Sequence, residues 1–249
     1  PKKEERKISF SVGGVSFAMI KIDGGTFLMG ATTAQDKDAF VDEGPIHEVT
    51  LADFYVGETE VTQALWYAVL GVTIDEKKNK KKVDAVLYGV GATHPIYYVS
   101  YNDCLEFIKV LNRITNEKFR LITEAEWEYV ARGGKQQCEY IYSGSQIINE
   151  VAWYKDNSND SSQPVATKKP NHLGIYDLTG NVSEWCMDWY DAYPVERQMN
   201  PQGAPKGTYR IYRGGSWHDK AVDSRVTCRI GGKTEYRSSD LGLRLALEK

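Results

Sequence analysis

The stretch GIYDLTGNVSEW, residues 174–185, decides how the rest of this chain is interpreted. Its first four residues, 174–177, are predicted to form a short strand, and a glycine-containing loop follows at Gly180. The surrounding chain, from residue 135 onward, is rich in Trp, Tyr, Asn, Asp and Gly and shows no pattern of a long helix. This composition favours short strands joined by much irregular chain.

The overall composition is that of a globular domain. Of 249 residues, 41% are apolar, and 31 Lys and Arg stand against 34 Asp and Glu, a net charge of −3. The near balance argues against a nucleic-acid module, which normally carries a basic surplus. No apolar run approaches the length of a membrane-spanning helix, so no transmembrane segment is expected. We expect one domain over residues 15–249, preceded by a charged N-terminal segment, residues 1–14, that has no signal-peptide pattern.

Regular elements are predicted mainly before residue 135. Thr62, Ser100 and Thr123 are typical N-terminal caps, and Gly71 is typical of a left-handed helix end. A lysine-rich run at 75–82 is expected to be a solvated surface insertion. Helices are predicted at 62–70, 101–112 and 124–132, and strands within 8–29 and 47–57 and at 151–154, 174–177, 209–213 and 241–246.

Several motifs recur in a fixed order from about residue 15 to residue 247, and together they carry a family resemblance. They are GGTFLMG at 24–30, ETEVT at 58–62, HPI at 94–96, VSYND at 99–103, RLITEAEWEY at 120–129, GIYDLTGNVSEW at 174–185, RGGSW at 213–217 and LGLR at 241–244. In this order they resemble the formylglycine-generating enzyme family, also called the sulfatase-modifying factor family. The resemblance implies an α+β, C-type-lectin-related fold with little regular secondary structure.

The resemblance also implies an activity whose metal ligands are missing here. Enzymes of this family oxidise a sulfatase cysteine to formylglycine with oxygen and a copper ion held by two cysteine thiolates. The matching positions carry Asp219 and Ser224, or His218 and Asp223 if the alignment gap is moved. Hard oxygen groups do not replace soft thiolates for Cu(I), so copper is not expected. The four cysteines, at 104, 138, 186 and 228, form no CxxC pair and are expected to be mostly unpaired.

Structural calcium is a second property that the resemblance implies. One family site corresponds to the carboxylates of Asp177 and Glu184 and the carbonyls of Gly180 and Val182, and calcium prefers six to eight such oxygens. Asn157 is the nearest match to a second, less well preserved site. The alternative is that Asp177 and Glu184 only cap turns.

Three functions remain open from the sequence. The first is a pseudoenzyme, a binding module for a protein or glycan ligand that keeps the family scaffold. Its surface would include His218, Asp219, Asp223 and Thr227, which alternate with framework-like Arg225, Val226 and Arg229, as in relatives whose carboxy-terminal segment is diversified. The second is an active or divergent sulfatase-activating oxidase that has relocated its metal, with Cys186 and Cys228 as the nearby thiols, or uses a different metal, so enzyme status stays open. The third is a component of an envelope assembly, and we expect a bacterial envelope or extracellular location rather than a cytoplasmic one.

Overall fold

Short strands and short helices alternate along the chain, and the computed structural model describes residues 6–33, 36–76 and 86–248. Most of the lysine run at 75–82 therefore lies outside the described residues. The strands are β1 Lys7–Val12, β2 Val15–Ile22, β3 Gly25–Met29, β4 His47–Leu51, β5 Phe54–Gly57, β6 Phe119–Leu121, β7 Ser183–Trp189, β8 Gln198–Met199, β9 Arg210–Arg213, β10 Arg229–Gly232, β11 Leu241–Leu243 and β12 Leu245–Leu247. Four α-helices lie wholly within the described residues, α1 Gln63–Leu70, α2 Tyr101–Thr115, α3 Glu124–Ala131 and α4 Ile148–Val151, and residues 74–76 are also helical. The expected α+β architecture is confirmed.

Three small sheets organise these strands. The five-stranded sheet has the order β1-β2-β5-β12-β6, so a strand near the end of the chain lies between two strands from its first half. The four-stranded sheet has the order β10-β9-β7-β11, and the three-stranded sheet the order β3-β4-β8. β1 lies within the N-terminal segment and pairs with β2 over its whole length. The four-stranded sheet carries the motif-rich second half of the chain, and candidate site residues lie on or beside it.

The helix ends follow the predicted caps. The Thr62 hydroxyl accepts a hydrogen bond from Leu65 N at 3.2 Å, and Gly71 ends α1 in the left-handed region with φ of 65°. Capping boxes begin α2 and α3. Helix α2 runs to Thr115, three residues beyond the predicted end, because Asn116 adopts the left-handed conformation that closes it. The hydrogen bonds that cap these helices join residues three or four positions apart, so the sequence alone predicts where the helices begin and end.

Two predicted strands are wrong. Residues 148–151 form the short helix α4, so the strand expected at 151–154 is absent. Residues 174–177 lie outside regular strands, because Asp177 has φ of 58°, a left-handed conformation that interrupts an extended chain. The position of this segment is fixed by single contacts, such as Tyr176 N donating to Glu58 O at 3.0 Å.

Large aromatic side chains fill the core beneath these sheets. Trp66 stacks on Phe107 with ring centroids 4.9 Å apart, and Trp127 and Trp185 are fully buried. Among the described residues, none of the helices is both long and apolar enough to cross a membrane. Binding and catalytic residues commonly lie on the loops around such a packed core.

Candidate functional site

The segment 177–184 surrounds a buried group of three carboxylates and one guanidinium. Glu184, near the beginning of β7, accepts bonds from Arg244 Nη2 at 2.7 Å and from Trp127 Nε1 at 2.8 Å. Arg244 also donates to Gly57 O and Tyr176 O, at 2.9 and 2.7 Å. Glu184 is therefore a structural anchor that joins three distant parts of the chain.

Glu60 is a member of this group that sequence reasoning missed. Its carboxylate accepts Val182 N at 3.0 Å and Asn181 Nδ2 at 2.8 Å, so it holds the loop through its backbone. Burial, together with the nearby Asp177 and Glu184, raises the pKa of Glu60 well above its ordinary value. Its place in the quoted motif ETEVT was the available signal, but spacing alone does not connect that motif to residue 182.

Asp177 supplies the third carboxylate, and one of its oxygens is unsatisfied. Oδ2 accepts Ala166 N at 2.7 Å, whereas Oδ1 is buried and has no hydrogen-bond partner in the described structure. Burial raises the pKa of Asp177 to about 6. Orphaned buried oxygens and uncompensated negative charge are features that a bound cation would satisfy.

Two observations limit that fit. Glu184 is already bonded by Arg244 and Trp127, and no group of three or more His, Cys, Asp or Glu side chains in the described part of the chain is arranged to hold a metal ion. A cation here would depend on backbone carbonyls such as those of Gly180 and Val182. Asn157 closes its own turn, because its Oδ1 accepts Tyr154 N at 2.9 Å and its Nδ2 donates to Ala152 O at 3.0 Å.

Asp219 and Ser224 are the positions that the sequence analysis aligned with the family's copper ligands. Asp219 is partly buried, and the Ser216 hydroxyl donates to its Oδ2 at 2.6 Å. Ser224 is fully buried, and its hydroxyl donates to Lys220 O at 3.3 Å. These two positions therefore offer one carboxylate and one hydroxyl that is bonded to the carbonyl of Lys220.

None of the four cysteines forms a disulfide, which agrees with the expectation that they are mostly unpaired thiols. Cys186 lies in β7 and Cys228 immediately precedes β10, and β9 runs between those strands. Neighbouring strands are about 4.8 Å apart, so the two backbones are separated by roughly 10 Å. Burial, with Asp188 nearby, raises the pKa of the Cys186 thiol well above its ordinary value, and burial raises that of Cys228 to about 12. Both groups are therefore protonated thiols inside the core.

The segment 218–240 alternates between anchored and accessible residues. Arg225 and Arg229 are buried in ion pairs with Glu43 and Glu124, at 2.5 and 2.6 Å. His218 is exposed and Asp223 is partly exposed, as a binding surface would require.

Thr227 corrects the expected binding surface. It is fully buried, and its hydroxyl donates to Glu43. This glutamate belongs to a segment 184 residues away in sequence, which is why the burial was not foreseen. Thr227 therefore braces the framework and does not face a ligand.

Two concave features adjoin this segment. A polar cavity of about 170 Å³ is lined by Ser183, Tyr212, Asp219, Ile230, Tyr236, Asp240 and Leu241. An aromatic groove of about 410 Å³ shares Tyr212 and Tyr236 with it and adds Tyr209, Gly231, Gly232, Lys233 and Glu235. The edge strand β10 thus presents an acidic cavity beside an open aromatic groove.

Known proteins with similar sequences match nearly the whole chain. The sulfatase-modifying factor enzyme 1-like domain matches residues 14–249. The chaperone protein LppX of Paenibacillus barcinonensis is 31% identical, with 92% of this chain and 87% of that protein aligned. The formylglycine-generating enzyme of Streptomyces coelicolor is 29% identical, with 91% and 88% aligned.

A solved structure agrees with these sequence matches. Treponema denticola variable protein 1 superposes with a TM-score of 0.84 at 28% identity, over 98% of this chain and 99% of that one. The expected formylglycine-generating-enzyme-like fold is confirmed.

Proposed function

Since the chain belongs to the sulfatase-modifying factor enzyme 1-like family, we propose that it is a recognition module that has lost formylglycine-generating oxidase activity. The observation that carries the proposal is the replacement of both copper ligands by Asp219 and Ser224. Cu(I) prefers soft sulfur ligands, and a carboxylate with a hydroxyl suits hard cations instead. Copper affinity should therefore be lost, and oxygen activation with it.

The remaining thiols give little support to a relocated copper centre. Two sulfurs that share one ion at ~2.3 Å each are within about 5 Å of each other, as in zinc–thiolate sites. The backbones that carry Cys186 and Cys228 are about two strand spacings apart. Arg213 lies between them and donates to Cys228 O, so a dithiolate site would require rearrangement of the core.

Recognition is supported by what the chain retains. The anchored residues Arg225 and Arg229 hold the segment 218–240 rigidly, while His218 and Asp223 remain accessible. Loops on a rigid scaffold are where binding commonly evolves. A relative that carries the name of a chaperone protein is consistent with a role in binding another protein.

A turnover assay tests the loss of oxidation. The protein is incubated with copper, a reductant, oxygen and a sulfatase peptide that contains the target cysteine, and mass spectrometry detects the aldehyde. We expect no aldehyde above a protein-free control, while an active member of the family converts the same peptide. Multiple turnovers would overturn the proposal and restore the oxidase hypothesis.

Structural calcium at the 177–184 loop is part of the same proposal. Asp177 Oδ1 lacks a partner, and the three buried carboxylates of this group face one arginine. Asp177 and Glu184 would hold the ion with the carbonyls of Gly180 and Val182. Bound calcium would supply positive charge and fix a loop that has few regular hydrogen bonds.

The proposal also includes an envelope or extracellular location. This follows from the family resemblance, in which such domains occur in envelope assemblies. Fractionation of the source cells, with detection of the native protein, tests it, and recovery only from the cytoplasm would contradict it.

A further inference from the structure

The polar cavity beside Asp219 has an excess of negative charge. Ser216 Oγ contacts Asp219 Oδ2 at 2.6 Å and Asp240 Oδ2 at 3.1 Å. A hydroxyl has one proton, so Ser216 can donate to only one of these carboxylates at a time. The pair therefore needs further hydrogen-bond donors, and the cavity is the space from which they could come.

No basic side chain in the described residues satisfies this need. Neither Asp219 nor Asp240 forms an ion pair there, although His218 lies close enough to lower the pKa of Asp219. Burial, with Asp240 and Asp223 nearby, raises the pKa of Asp219 overall. The buried carboxylate of Glu43, by contrast, has its arginine partner in place.

A second polar group points to a ligand independently of the acidic pair. Ser183, at the beginning of β7, is 3% exposed and lines the cavity. Its hydroxyl forms no hydrogen bond within the part of the chain that the structure describes. This hydroxyl therefore provides an unused hydrogen-bonding group at the cavity wall.

The opening of the cavity is aromatic. Tyr212 and Tyr236 form walls of both the cavity and the groove, and their rings lie nearly parallel, at 18°, with centroids 6.4 Å apart. Tyr236 is 45% exposed. The groove floor is Gly231 and Gly232, where an added Cβ would lie 3.0 Å from Tyr190 and 2.8 Å from Trp185 respectively.

We propose that this cavity binds the guanidinium of an arginine side chain from a protein partner, with the flanking residues of that partner in the aromatic groove. The inference rests on the proposed recognition function and names its ligand class. A guanidinium has five donors in one plane, so it can bridge Asp219 and Asp240 and also reach Ser183. Its faces suit the tyrosine rings at the opening.

Arginine fits better than the other cations. A metal ion would need oxygen ligands on all sides, and no group of three or more acidic, histidine or cysteine side chains among the described residues is arranged for one. Lysine offers a compact, strongly hydrated charge with three donors, whereas the planar guanidinium has five donors in a fork that matches carboxylates. A cavity of about 170 Å³ is also large for a bare ion.

Binding of short peptides to the unaltered protein is the first test. Acetyl-Ala-Arg-Ala-amide is compared by calorimetry or NMR titration with the citrulline and lysine peptides of the same length. Citrulline keeps the shape but has no charge, so we expect at least about tenfold weaker binding. Equal binding of the citrulline or lysine peptide, or no binding of the arginine peptide, would overturn the inference.

Variants then locate the site. Asp219→Asn and Asp240→Asn should each weaken the arginine peptide about tenfold or more, whereas Glu196→Gln, an exposed acidic residue outside the cavity, should not. Tyr236→Ala tests the opening without removing charge and should also weaken binding. Near-ultraviolet circular dichroism confirms that each variant is folded. Unchanged affinity in both aspartate variants would place the peptide elsewhere and reject the site.

The outcomes separate this inference from the proposed function. Formylglycine turnover would reject the recognition function whatever the peptide does. If there is no turnover and the citrulline peptide binds as tightly as the arginine peptide, the recognition function stands and the arginine site is rejected. Arginine amide that binds as tightly as the tripeptide would reject the groove as a contact for flanking residues.

Discussion

Buried carboxylates in this protein fall into two kinds, according to whether a guanidinium faces them. Glu43 is fully buried and is bonded twice by Arg225, at 2.7 and 2.5 Å. Asp188 is also buried, lines a cavity of about 220 Å³ and accepts a hydrogen bond from Glu124 N at 2.7 Å, and it forms no ion pair within the described residues. Removing the negative charge should therefore have opposite effects on stability at these two residues.

Asp188→Asn should stabilise the protein in alkaline solution. Burial and the nearby Glu124 raise the pKa of Asp188 to about 7, so its favourable protonated form is present at low pH and is lost as the pH rises through about 7. Asparagine keeps the acceptor without the charge, and we expect a gain on the order of 3 kcal/mol near pH 8 that shrinks towards pH 4. Urea unfolding at both pH values measures it, with the exposed Asp191→Asn as control. A gain that is the same at both pH values, or a loss near pH 8, would contradict it.

Glu43→Gln should have the opposite sign. The change leaves Arg225 buried without a counter-charge and weakens the contact with Thr227, so we expect a loss of about 3–5 kcal/mol in the free energy of unfolding. Glu48→Gln, on the exposed face of β4, should change it by less than about 0.5 kcal/mol. The midpoints of urea unfolding compare the two variants. Equal midpoints would show that the buried ion pair does not hold the segment 225–229.

At the scale of elements, backbone conformation dominates where a helix ends. Gly71 has φ of 65°, its amide donates to Tyr67 O at 2.7 Å, and no atom lies within 4 Å of an added Cβ. Gly71→Ala should therefore cost about 1 kcal/mol through backbone strain alone. Gly71→Asn should cost less, because asparagine tolerates this conformation. Thermal unfolding ranks the three proteins, and an alanine variant as stable as the native chain would disprove the strain argument.

The features of the elements that the sequence predicted correctly are those that depend on neighbouring residues. Thr62, Ser100 and Gly71 act on neighbours three or four residues away, so their roles can be inferred from spacing. The strand predicted at 174–177 is absent because Asp177 adopts a left-handed conformation. In this conformation its carboxylate accepts a hydrogen bond from Ala166 N. The prediction that Thr227 lies on a binding surface was wrong because its partner, Glu43, is distant in sequence. Composition and local spacing do not reveal such a contact.

At the scale of the whole molecule, the second half of the chain is fastened to the first by buried charge. Arg244, near the end of the chain, reaches Gly57 and Tyr176 and pairs with Glu184. The motif containing residue 184 was recognisable, but the convergence of Glu60 on the same loop was not, because no local pattern relates residues 60 and 182. Loss of any of these contacts should lower the stability of the whole fold.

Calcium should therefore act on global stability rather than on one loop. A ligand that binds only the folded state, at a concentration of a hundred times its Kd, adds about 2.7 kcal/mol to the free energy of unfolding. Calcium held by Asp177 and Glu184 would stabilise the contacts that join the two halves of the chain. We expect a chelator to lower the melting temperature and added Ca²⁺ to restore it, with magnesium less effective because it demands a smaller octahedral site. Calorimetry of chelated and calcium-loaded protein measures the shift.

Asp177→Asn supplies the decisive comparison. The amide retains an acceptor for Ala166 N but removes one of the two carboxylates assigned to the ion, so calcium should no longer raise the melting temperature appreciably. The exposed Asp156→Asn removes the same charge outside the cluster and should keep the full calcium response. If chelation leaves the native melting temperature unchanged, the calcium proposal is wrong. If instead the two variants respond alike to calcium, the ion acts at another site, and the unsatisfied Asp177 oxygen has no part in holding it.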